Sequence, residues 1–468
     1  MSHPSPLRAF LWAAAPSVLI GLALLVLAYL VLQPQPPRRV VLATGIPQGA
    51  YAEFGGRYKT LLARHGIAVE LRPTQGAAEN LALLRDPASG VDIAFVQGGT
   101  DPAGGDAATR DAEAGVELVS LGSLFHEPVW LFYRESSALR LAKSPTITSL
   151  TQLAGATPPG PGQPSPSPKG AKDSRGRPVG SWKLNIGAPG SGVPPLMQLL
   201  LEANKLDPAA IQLSQQPTTP AVVDLLEDRL DALVLASAPE SPMVQMLLQT
   251  PGIRLLDFAQ SEAYARRFAF MSPVVLPRGV IDLARDQPPA DVRLVAPTAT
   301  LVARDALHPA LVQLFVQAAM QVHGGAGWFQ RKGEFPNTAN NERPIAPEAL
   351  RIYRNGVPWL QRYLPFWLAN LADRMWVVLL AIGAVLIPLT RIVPPLYEFR
   401  IRSRVFRWYG QLRAVEQAHE RRPREELLAE LDDIDRRVSQ VTVPLSYADE
   451  LYALRGHIQA VRLRLQAM

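Results

Sequence analysis

The sequence predicts an α/β protein of two lobes, flanked by two transmembrane helices and followed by a C-terminal α-helical hairpin. Short apolar runs alternate with amphipathic stretches from residue 40 onward, which is typical of a largely parallel sheet with helices between its strands. Two strongly apolar stretches are candidates for membrane spans, and helical apolar spacing returns near the C-terminus. The 468 residues suggest about three structural units, at roughly 150 residues per domain.

Composition excludes several classes of protein. The chain has no cysteine, so disulfides, thiolate metal sites, cysteine nucleophiles and an acylated lipoprotein N-terminus are all ruled out. The net charge of +6 does not predict nucleic-acid binding, because much of the positive excess lies beside the second apolar stretch, where basic residues set membrane topology. The arginines of this cluster are Arg391, Arg400, Arg402, Arg404, Arg407 and Arg413.

The first apolar stretch, residues 10–32, predicts a transmembrane helix that follows a cytoplasmic N-terminus at residues 1–9. No residue of the stretch is charged, and it is long enough to cross a hydrocarbon core of about 30 Å. A cleaved signal peptide is the alternative, because Arg8 precedes the run. The run is longer than a usual signal core and no clear cleavage site precedes Gln33, so we favour an uncleaved anchor.

The second apolar stretch predicts a transmembrane helix at residues 375–393. An aromatic segment at residues 359–374 precedes it, as expected at a membrane interface, and the arginine cluster follows it. The alternative is a buried core helix. Because Lys and Arg are retained on the cytoplasmic side, residues 396–468 are predicted to be cytoplasmic. The expected location is the bacterial inner membrane, with the lipid bilayer as a partner, both termini in the cytoplasm and the region between the spans in the periplasm.

Repeated units of strand, turn and helix predict the two lobes of this outer region. Residues 38–128 are assigned to the first part of lobe 1, residues 129–255 to lobe 2 and residues 256–358 to the return of the chain to lobe 1. A stretch rich in Pro and Gly at residues 157–181 is predicted to be a mobile surface loop, since it cannot bury enough apolar surface to fold.

Glycine-containing turns follow the predicted strands of lobe 1, and similar turns recur in lobe 2. They are Thr44-Gly45, Thr74-Gln75-Gly76 and Gln97-Gly98-Gly99 in lobe 1, and Gly190-Ser191-Gly192 and the turn that begins at Ser237 in lobe 2. Ligands of open α/β sheets bind at the carboxyl ends of strands, where these turns lie. Free backbone N–H groups and the helix dipole favour anions such as carboxylates there. The sequence therefore predicts a site for a small anionic solute.

Three side chains near the turns have two interpretations each. Ser191 either caps the following helix or donates its hydroxyl to a ligand carboxylate. Tyr51 is either a core aromatic or a ligand contact, and Asn80 either caps a helix or reaches a ligand. The nearest approach to an acid/base pair is His126-Glu127, for which we favour a solvated or hinge-structural role.

Motifs of catalysis are missing from the sequence. It contains no nucleophile elbow, Walker loop or dinucleotide fingerprint. Its seven histidines are scattered without the spacing of metal ligands. We therefore expect no enzyme activity, no metal and no other cofactor.

The order of the motifs resembles that of TAXI-type solute-binding proteins of tripartite (TRAP) transporters, over roughly residues 40 to 350. The matching residues are Thr44-Gly45 with Gly49 and Tyr51, Thr74 and Gly76 with Glu79-Asn80, Asp92 to Gln97, Asn185-Ile186-Gly187 with Gly190-Ser191-Gly192, Asp231-Ala232, Leu276-Pro277-Arg278-Gly279 and Leu301-Val302-Ala303-Arg304.

The resemblance implies a periplasmic binding protein of the type II class, whose two lobes close over a small ligand, commonly an acidic amino acid or a dicarboxylate. It also implies delivery to the membrane permease subunits of a TRAP-type system. Ala77 and Val193 stand where the family has hydroxyl side chains, and the turn after Gly45 lacks the usual glycine pair. The candidate ligand-binding residues are Thr44, Gly45, Gln48, Tyr51, Gln75, Asn80, Gln97, Ser191, Gly192, Val193 and Ser237.

Apolar residues of the C-terminal tail repeat at spacings of four and three, which predicts two amphipathic helices. The first row is Leu427, Leu431, Ile434 and Val438, and the second is Leu451, Leu454, Ile458, Val461 and Leu465. A self-contained hairpin and a partner-docking surface both fit this pattern. The alternative to a transport subunit is therefore a ligand-responsive sensor or scaffold that acts through the tail.

Overall fold

A computed structural model describes residues 19–31, 35–47, 49–101, 107–154, 181–418, 421–440 and 448–467. The predicted segment 1–9, nearly all of the predicted loop 157–181 and the candidate residue Gln48 lie outside these residues. The chain divides into two compact units. We call Gln35–Asn370 the α/β unit, and the remainder, which includes Leu371–Met468, the helical unit.

Strands and helices alternate along much of the α/β unit. The strands are β1 Arg39–Ala43, β2 Ala68–Arg72, β3 Ile93–Gln97, β4 Leu118–His126, β5 Val129–Arg134, β6 Lys183–Asn185, β7 Gln212–Ser214, β8 Ala232–Ala236, β9 Ile253–Leu255, β10 Met271–Leu276 and β11 Val292–Arg304. The helices of the whole chain are α1 Leu19–Val31, α2 Ala50–Ala63, α3 Ala77–Arg85, α4 Ala107–Glu113, α5 Glu135–Leu141, α6 Val193–Ala203, α7 Thr218–Leu226, α8 Pro242–Leu248, α9 Ser261–Arg267, α10 Pro309–His323, α11 Pro347–Asn355, α12 Phe366–Gln417, α13 Arg424–Ser439 and α14 Ala448–Ala467.

Two mixed sheets organise the α/β unit, and both have the same strand order. In the sheet of lobe 1, β2, β1 and β3 are parallel neighbours, followed by the antiparallel β11 and then by β4. A sixth strand, β10, pairs antiparallel with the first part of β11 and has no counterpart in the sheet of lobe 2. In the sheet of lobe 2, β7, β6 and β8 are parallel neighbours, followed by the antiparallel β5 and then by β9. In each sheet the antiparallel strand is supplied after the chain has crossed over from the other lobe.

The crossings tie the two lobes together. After β4 ends at His126, the dipeptide Glu127-Pro128 leads directly into β5 of lobe 2. The return is made through the thirteen-residue strand β11. Its early residue Val295 lies in the core of lobe 2, whereas its later residue Leu301 lies in the core of lobe 1. Tyr264, within the predicted return segment, also packs in the core of lobe 2.

Burial on both faces explains the sequence of the lobe 1 strands. All nine residues of β4 and all five of β3 are buried. Strands covered on both faces are typically near-continuous apolar runs, as the first four residues of β3 are. β4 departs from this pattern, because its Ser120 and Ser123 are buried with hydrogen bonds to the segment around Asn341. Helices α2 and α10 cover one face, where the Tyr58 and Phe315 rings stack with their centroids 5.8 Å apart. Helix α3 covers the other face, where Leu84 packs with Val96.

A buried cluster of ion pairs fixes the chain after β3. The Arg343 guanidinium lies 2.7 Å from a carboxylate oxygen of Asp101 and 2.7 Å from one of Asp111, and its side chain is 3% exposed. Arg85 on α3 contacts the same two carboxylates at 2.8 and 2.7 Å. The cluster therefore joins α3, α4 and the segment around Arg343.

Substitution of Arg343 tests how much this cluster contributes to the free energy of unfolding. Arg343→Met removes the hydrogen bonds of a buried guanidinium to Asp101 and Asp111 and leaves Arg85 and Arg110 beside them, which is expected to lower the free energy of unfolding by roughly 3–5 kcal/mol. The measurement is denaturant unfolding of the purified full-length protein in detergent. Arg278→Met is the matched control, since it breaks an exposed pair with Asp286 and should change the free energy of unfolding far less. Equal losses in the two variants would contradict a special role for the cluster.

One helix among the described residues is long and apolar enough to span a membrane. It is the first part of α12, Phe366–Pro388, with a mean hydropathy of 1.8 over its most apolar window, of which 6% is buried. This stretch begins earlier than the predicted span at 375–393 and includes part of the predicted aromatic segment. Of the predicted span at 10–32, the structure describes Leu19–Val31, an apolar helix shorter than the roughly 20 residues that a span requires. The described residues thus supply one candidate span where the sequence predicted two.

The predicted rows of apolar residues in the tail pack against each other. Leu431 and Val438 of α13 lie in one core with Leu454 and Ile458 of α14. The end of α12 also contributes to this core, through Leu412 and Val415. Three helical segments therefore share the apolar surface that the sequence assigned to a two-helix hairpin, because the long α12 continues far enough to cover them.

Candidate ligand-binding cleft

Asn80 ties together the carboxyl ends of the three parallel strands of lobe 1. Its Nδ2 donates to the carbonyl oxygens of Thr44 at 2.5 Å and of Phe95 at 2.8 Å. Its Oδ1 accepts from the Thr74 hydroxyl at 2.7 Å, and the side chain is fully buried. Both amide hydrogens are used within lobe 1, and the N-cap of α3 is Gly76. Asn80 is therefore a clamp between strands, a role that neither predicted interpretation included.

Thr44, Gly45 and Tyr51 lie in the wall of lobe 1. Thr44 is buried and its hydroxyl donates to the carbonyl oxygen of Arg72 at 3.3 Å. A Cβ on Gly45 would lie 3.6 Å from Tyr51, which places the glycine beside that ring. The Tyr51 ring stacks on Phe95 at 5.1 Å between centroids. Of the two predicted interpretations of Tyr51, its burial and stacking correspond to the core aromatic.

The glycine turn of lobe 2 contacts the N-terminus of α3 in lobe 1. The Gly190 carbonyl oxygen accepts a hydrogen bond from the Glu79 backbone N–H at 2.9 Å. A Cβ on Gly76 would lie 3.2 Å from the Ser191 Cα, and one on Gly190 would lie 3.0 Å from the Gln75 Cβ. Both glycines also have positive φ, 136° at Gly76 and 87° at Gly190, which other residues rarely adopt. The lobes approach closely here because Gly76 and Gly190 carry no side chains.

Gln97 brings a polar side chain to the same contact. It ends β3, is 3% exposed, and its Oε1 lies directly against Gly192 of lobe 2. Its Nε2 is buried without a hydrogen-bond partner among the described residues. A buried donor without a partner is costly, so this amide is a group that a ligand atom could satisfy.

Helix α6 offers fewer hydrogen-bond donors than the sequence suggested. Pro194 and Pro195 occupy its first turn and have no N–H. The Ser191 hydroxyl donates to the Ala188 carbonyl oxygen at 2.8 Å within its own turn, and the N-cap is Gly192, which makes no side-chain bond. Ser191 therefore does not cap α6 in this arrangement, and Val193 is buried.

The remaining candidates take different positions. Gln75 lies in the contact between the lobes, where its backbone N–H donates to the Glu79 carboxylate at 2.7 Å. Ser237 follows β8 in lobe 2, and its carbonyl oxygen accepts from the indole N–H of Trp130 at 2.9 Å. The structure thus brings Gln75, Gln97, Ser191 and Gly192 together, whereas Ser237 belongs to the support of lobe 2.

His126 and Glu127 lie at the first crossing between the lobes. Glu127 is 3% exposed, its carboxylate accepts from the Tyr51 hydroxyl at 2.8 Å, and its backbone N–H donates to Pro297. Burial raises the pKa of Glu127 to about 8, and the hydrogen bond from Tyr51 opposes that rise. His126 is also buried, edge-on to Phe335 at 4.9 Å. Of the two roles expected for this pair, the solvated one is wrong, because both residues are buried, and the hinge-structural one fits their position at the crossing from β4 to β5. The available sequence signal for this crossing was that Glu127-Pro128 interrupts two apolar runs.

Among the described residues, no group of three or more His, Asp or Glu side chains is arranged to hold a metal ion. The polar groups at the contact between the lobes are backbone N–H groups, the amide side chains of Gln75 and Gln97, the Ser191 hydroxyl and the Glu79 carboxylate. Such groups bind and orient a solute, and they include no nucleophile paired with a base.

No protein-family model and no curated protein matches the sequence. Solved structures with a similar arrangement include the periplasmic aliphatic sulphonate binding protein SsuA from Escherichia coli, at 14% identity, covering 78% of this chain and 93% of that one, with a TM-score of 0.35. MatC from Rhodopseudomonas palustris with bound malate has 14% identity, covers 72% of this chain and 96% of that one, and has a TM-score of 0.37. The alkanesulfonate-binding protein SsuA from Xanthomonas axonopodis pv. citri bound to MOPS has 13% identity, covers 62% of this chain and 74% of that one, and has a TM-score of 0.37. These TM-scores are all below 0.5, so the assignment of the fold rests on the strand order of the two sheets.

The buried carboxyl of Glu127 predicts a pH dependence of stability. A carboxyl whose folded pKa exceeds its unfolded pKa stabilises the fold below the unfolded value, and that stability is lost as the pH rises to the folded value. The wild-type protein should therefore lose stability as the pH rises from 4.5, the ordinary pKa of the Glu127 carboxyl, to about 8, its pKa in the folded protein. Glu127→Gln should lack this part of the dependence, as measured by denaturant unfolding at intervals across that window.

Glu262→Gln is the matched control for the pH experiment, since Glu262 is exposed at the start of α9. It should keep the wild-type slope of unfolding free energy against pH. A slope in Glu127→Gln equal to that of the wild type would mean that the Glu127 carboxyl titrates as a solvated group.

Proposed function

We propose that the protein is a membrane-anchored solute-binding subunit, which captures a small anionic solute between its lobes and delivers it to the permease of a TRAP-type system. The observation that carries the proposal is the meeting of Gly190 to Gly192 with the N-terminus of α3 and with Gln97. Each lobe is built on a sheet of the same strand order, and the turns in contact follow strands at their carboxyl ends. Open α/β sheets bind ligands at these ends.

The chemistry of the contact supports an anionic solute. A helix N-terminus carries free N–H groups and partial positive charge, and here the Glu79 N–H is occupied by the Gly190 carbonyl oxygen. When the lobes separate, that N–H and the Gln97 amide become available to a carboxylate. None of the candidate residues is Arg or Lys. Binding would therefore depend on neutral amide donors and the dipole of α3.

The anchor and the partner are supported by other features. The apolar part of α12, Phe366–Pro388, begins at the end of the α/β unit, and the arginine cluster follows it in the sequence. This order suits a periplasmic lobe pair that is held at the inner membrane, with a cytoplasmic tail. The ordered motifs that resemble TAXI-type proteins support the TRAP-type permease as the partner.

A sensor that acts through the tail is the second candidate, and one observation favours it. Helix α12 runs without interruption from Phe366 to Gln417, and its residues Leu412 and Val415 lie in the core of the tail helices. A continuous helix that leaves the α/β unit and ends in the tail is a direct covalent route for transmitting lobe closure.

A thermal-shift screen tests the proposed ligand class. Purified full-length protein in detergent is heated with acidic amino acids, dicarboxylates and oxoacids over a range of concentrations. A ligand at a hundred times its Kd stabilises the folded state by about 2.7 kcal/mol, so a true solute should raise the melting temperature with dose. Gln97→Ala should weaken the response about tenfold in concentration, because one hydrogen bond to the solute is lost.

Gln313→Ala is the matched control for the screen, because Gln313 is also buried but lies on α10. It should respond to the solute as the wild type does, even if its own melting temperature is lower. If none of the acidic solutes raises the melting temperature of the wild type, the anionic class is wrong.

The cysteine-free sequence permits a direct test of topology. Ser136→Cys, on the exposed surface of α5, should react with a membrane-impermeant maleimide in intact spheroplasts. Ser5→Cys and Ser439→Cys should react only after permeabilisation, because two spans place both termini inside. Labelling of Ser5→Cys in intact spheroplasts would instead indicate a single span at Phe366–Pro388. A change in the labelling rate of Ser439→Cys on addition of solute would favour the sensor.

A further inference from the structure

A second cavity lies beside the first crossing between the lobes. Its volume is about 210 Å³, equivalent to about seven water molecules at roughly 30 Å³ each. We call it the hinge-side pocket, and it is bounded by α2, the end of α10, the segment 325–330 and the lobe 2 loop 238–242. Of the candidates gathered at the contact between the lobes, neither Gln75, Gln97 nor Gly192 lines it. The pocket is therefore separate from the cleft of the proposed function.

Four aromatic side chains contribute to the walls of the hinge-side pocket. Phe54 and Phe125 form one side, with their ring centroids 4.9 Å apart, and Trp328 and Phe329 form another. The Phe329 ring is held by Trp130, with the centroids 5.9 Å apart. Aromatic faces attract cations and pack against flat apolar groups, with tryptophan the strongest of the three aromatic side chains.

The charges around the hinge-side pocket sum to a negative value. Arg57 and Glu53 neutralise each other at 2.5 Å, and the Arg57 guanidinium lies over the Phe54 ring. Burial lowers the pKa of His323 to about 3 and also lowers the pKa of His126, so both rings are neutral at neutral pH. The exposed Glu240 carboxylate at the rim is then left without a cationic partner among the described residues.

Two histidine nitrogen atoms in the pocket wall also suit a ligand that donates hydrogen bonds. His126 Nδ1 and His323 Nε2 are both buried with no hydrogen-bond partner among the described residues. A neutral imidazole has one acceptor nitrogen, and an ammonium group has only donors. Each of these nitrogens accepts from an amine in the tautomer that places the ring proton on the other nitrogen.

We propose that the hinge-side pocket binds a small organic amine in its cationic form, with a compact aromatic or apolar body between the rings and the ammonium group directed to Glu240. An anion is disfavoured by Glu240, which has no compensating cation. The segment that carries Glu240 belongs to lobe 2, whereas Phe54 and Phe125 belong to lobe 1, so the amine contacts both lobes. This site does not depend on the proposed solute of the cleft.

The test is isothermal titration calorimetry of the full-length protein in detergent with phenethylamine as the probe. Phenylacetate is the matched ligand, with the same ring and a carboxylate in place of the amine. Phenethylamine should bind with measurable heat, and phenylacetate should bind at least about tenfold more weakly. Glu240→Gln should weaken phenethylamine about three- to fivefold, as expected for a partly solvated charge pair. Trp328→Leu should weaken it by a similar factor.

Two control variants separate this site from the cleft and from general effects of charge. Glu262→Gln removes an exposed carboxylate outside the pocket and should leave the affinity for phenethylamine unchanged. Gln97→Ala, which is expected to impair the cleft, should also leave it unchanged. The proposal is overturned if the wild type does not bind phenethylamine, if phenylacetate binds equally well, or if Glu240→Gln has no effect. None of these outcomes bears on the thermal-shift screen of anionic solutes.

Discussion

The hydrogen bonds of Asn80 are the constraint on which the candidate cleft depends. One buried amide joins the ends of β1, β2 and β3, and so fixes where the helix that follows β2 begins. In the low dielectric of a protein interior such bonds are strong, and they are costly to leave unmade. Glu79, whose backbone N–H donates to Gly190 of lobe 2, is the residue next to Asn80. The position of the contact between the lobes is therefore set within lobe 1.

The contact itself is made by backbone, and this accounts for its glycines. Gly76 and Gly190 both have positive φ, and a Cβ at either position would lie 3.0 to 3.2 Å from a carbon atom of the other lobe. Side chains at these positions would therefore hold the lobes apart. The carbonyl oxygen of Gly190 accepts the hydrogen bond from the Glu79 N–H, which is the donor that an anion would use. On the proposed function, solute and turn compete for the same donor, and the solute gains only the difference between the two interactions.

Charge is distributed unequally over the α/β unit. The contact between the lobes has neutral amides beside the Glu79 carboxylate, whereas the crossing holds a buried carboxyl at Glu127 and the chain after β3 holds the cluster around Arg343. The ions of the Arg343 cluster are buried and paired. Glu127 differs from them, because burial raises its pKa to about 8 and so favours the neutral carboxyl at neutral pH. The hinge-side pocket differs from both, since its aromatic walls lie beside the unpaired carboxylate of Glu240.

Local patterns in the sequence determined the alternation of strands and helices, the glycine turns and the apolar rows of the tail. These follow from periodicity and turn chemistry, which act between residues close in the chain. The tertiary structure alone decided that Asn80 bonds to strand ends, that Ser191 bonds within its own turn, and that Glu127 is buried. Each of these outcomes depends on which distant segment supplies the neighbour, as Gly190 does for Glu79. A side chain's partners are set by long-range packing, and the sequence around that side chain does not contain them.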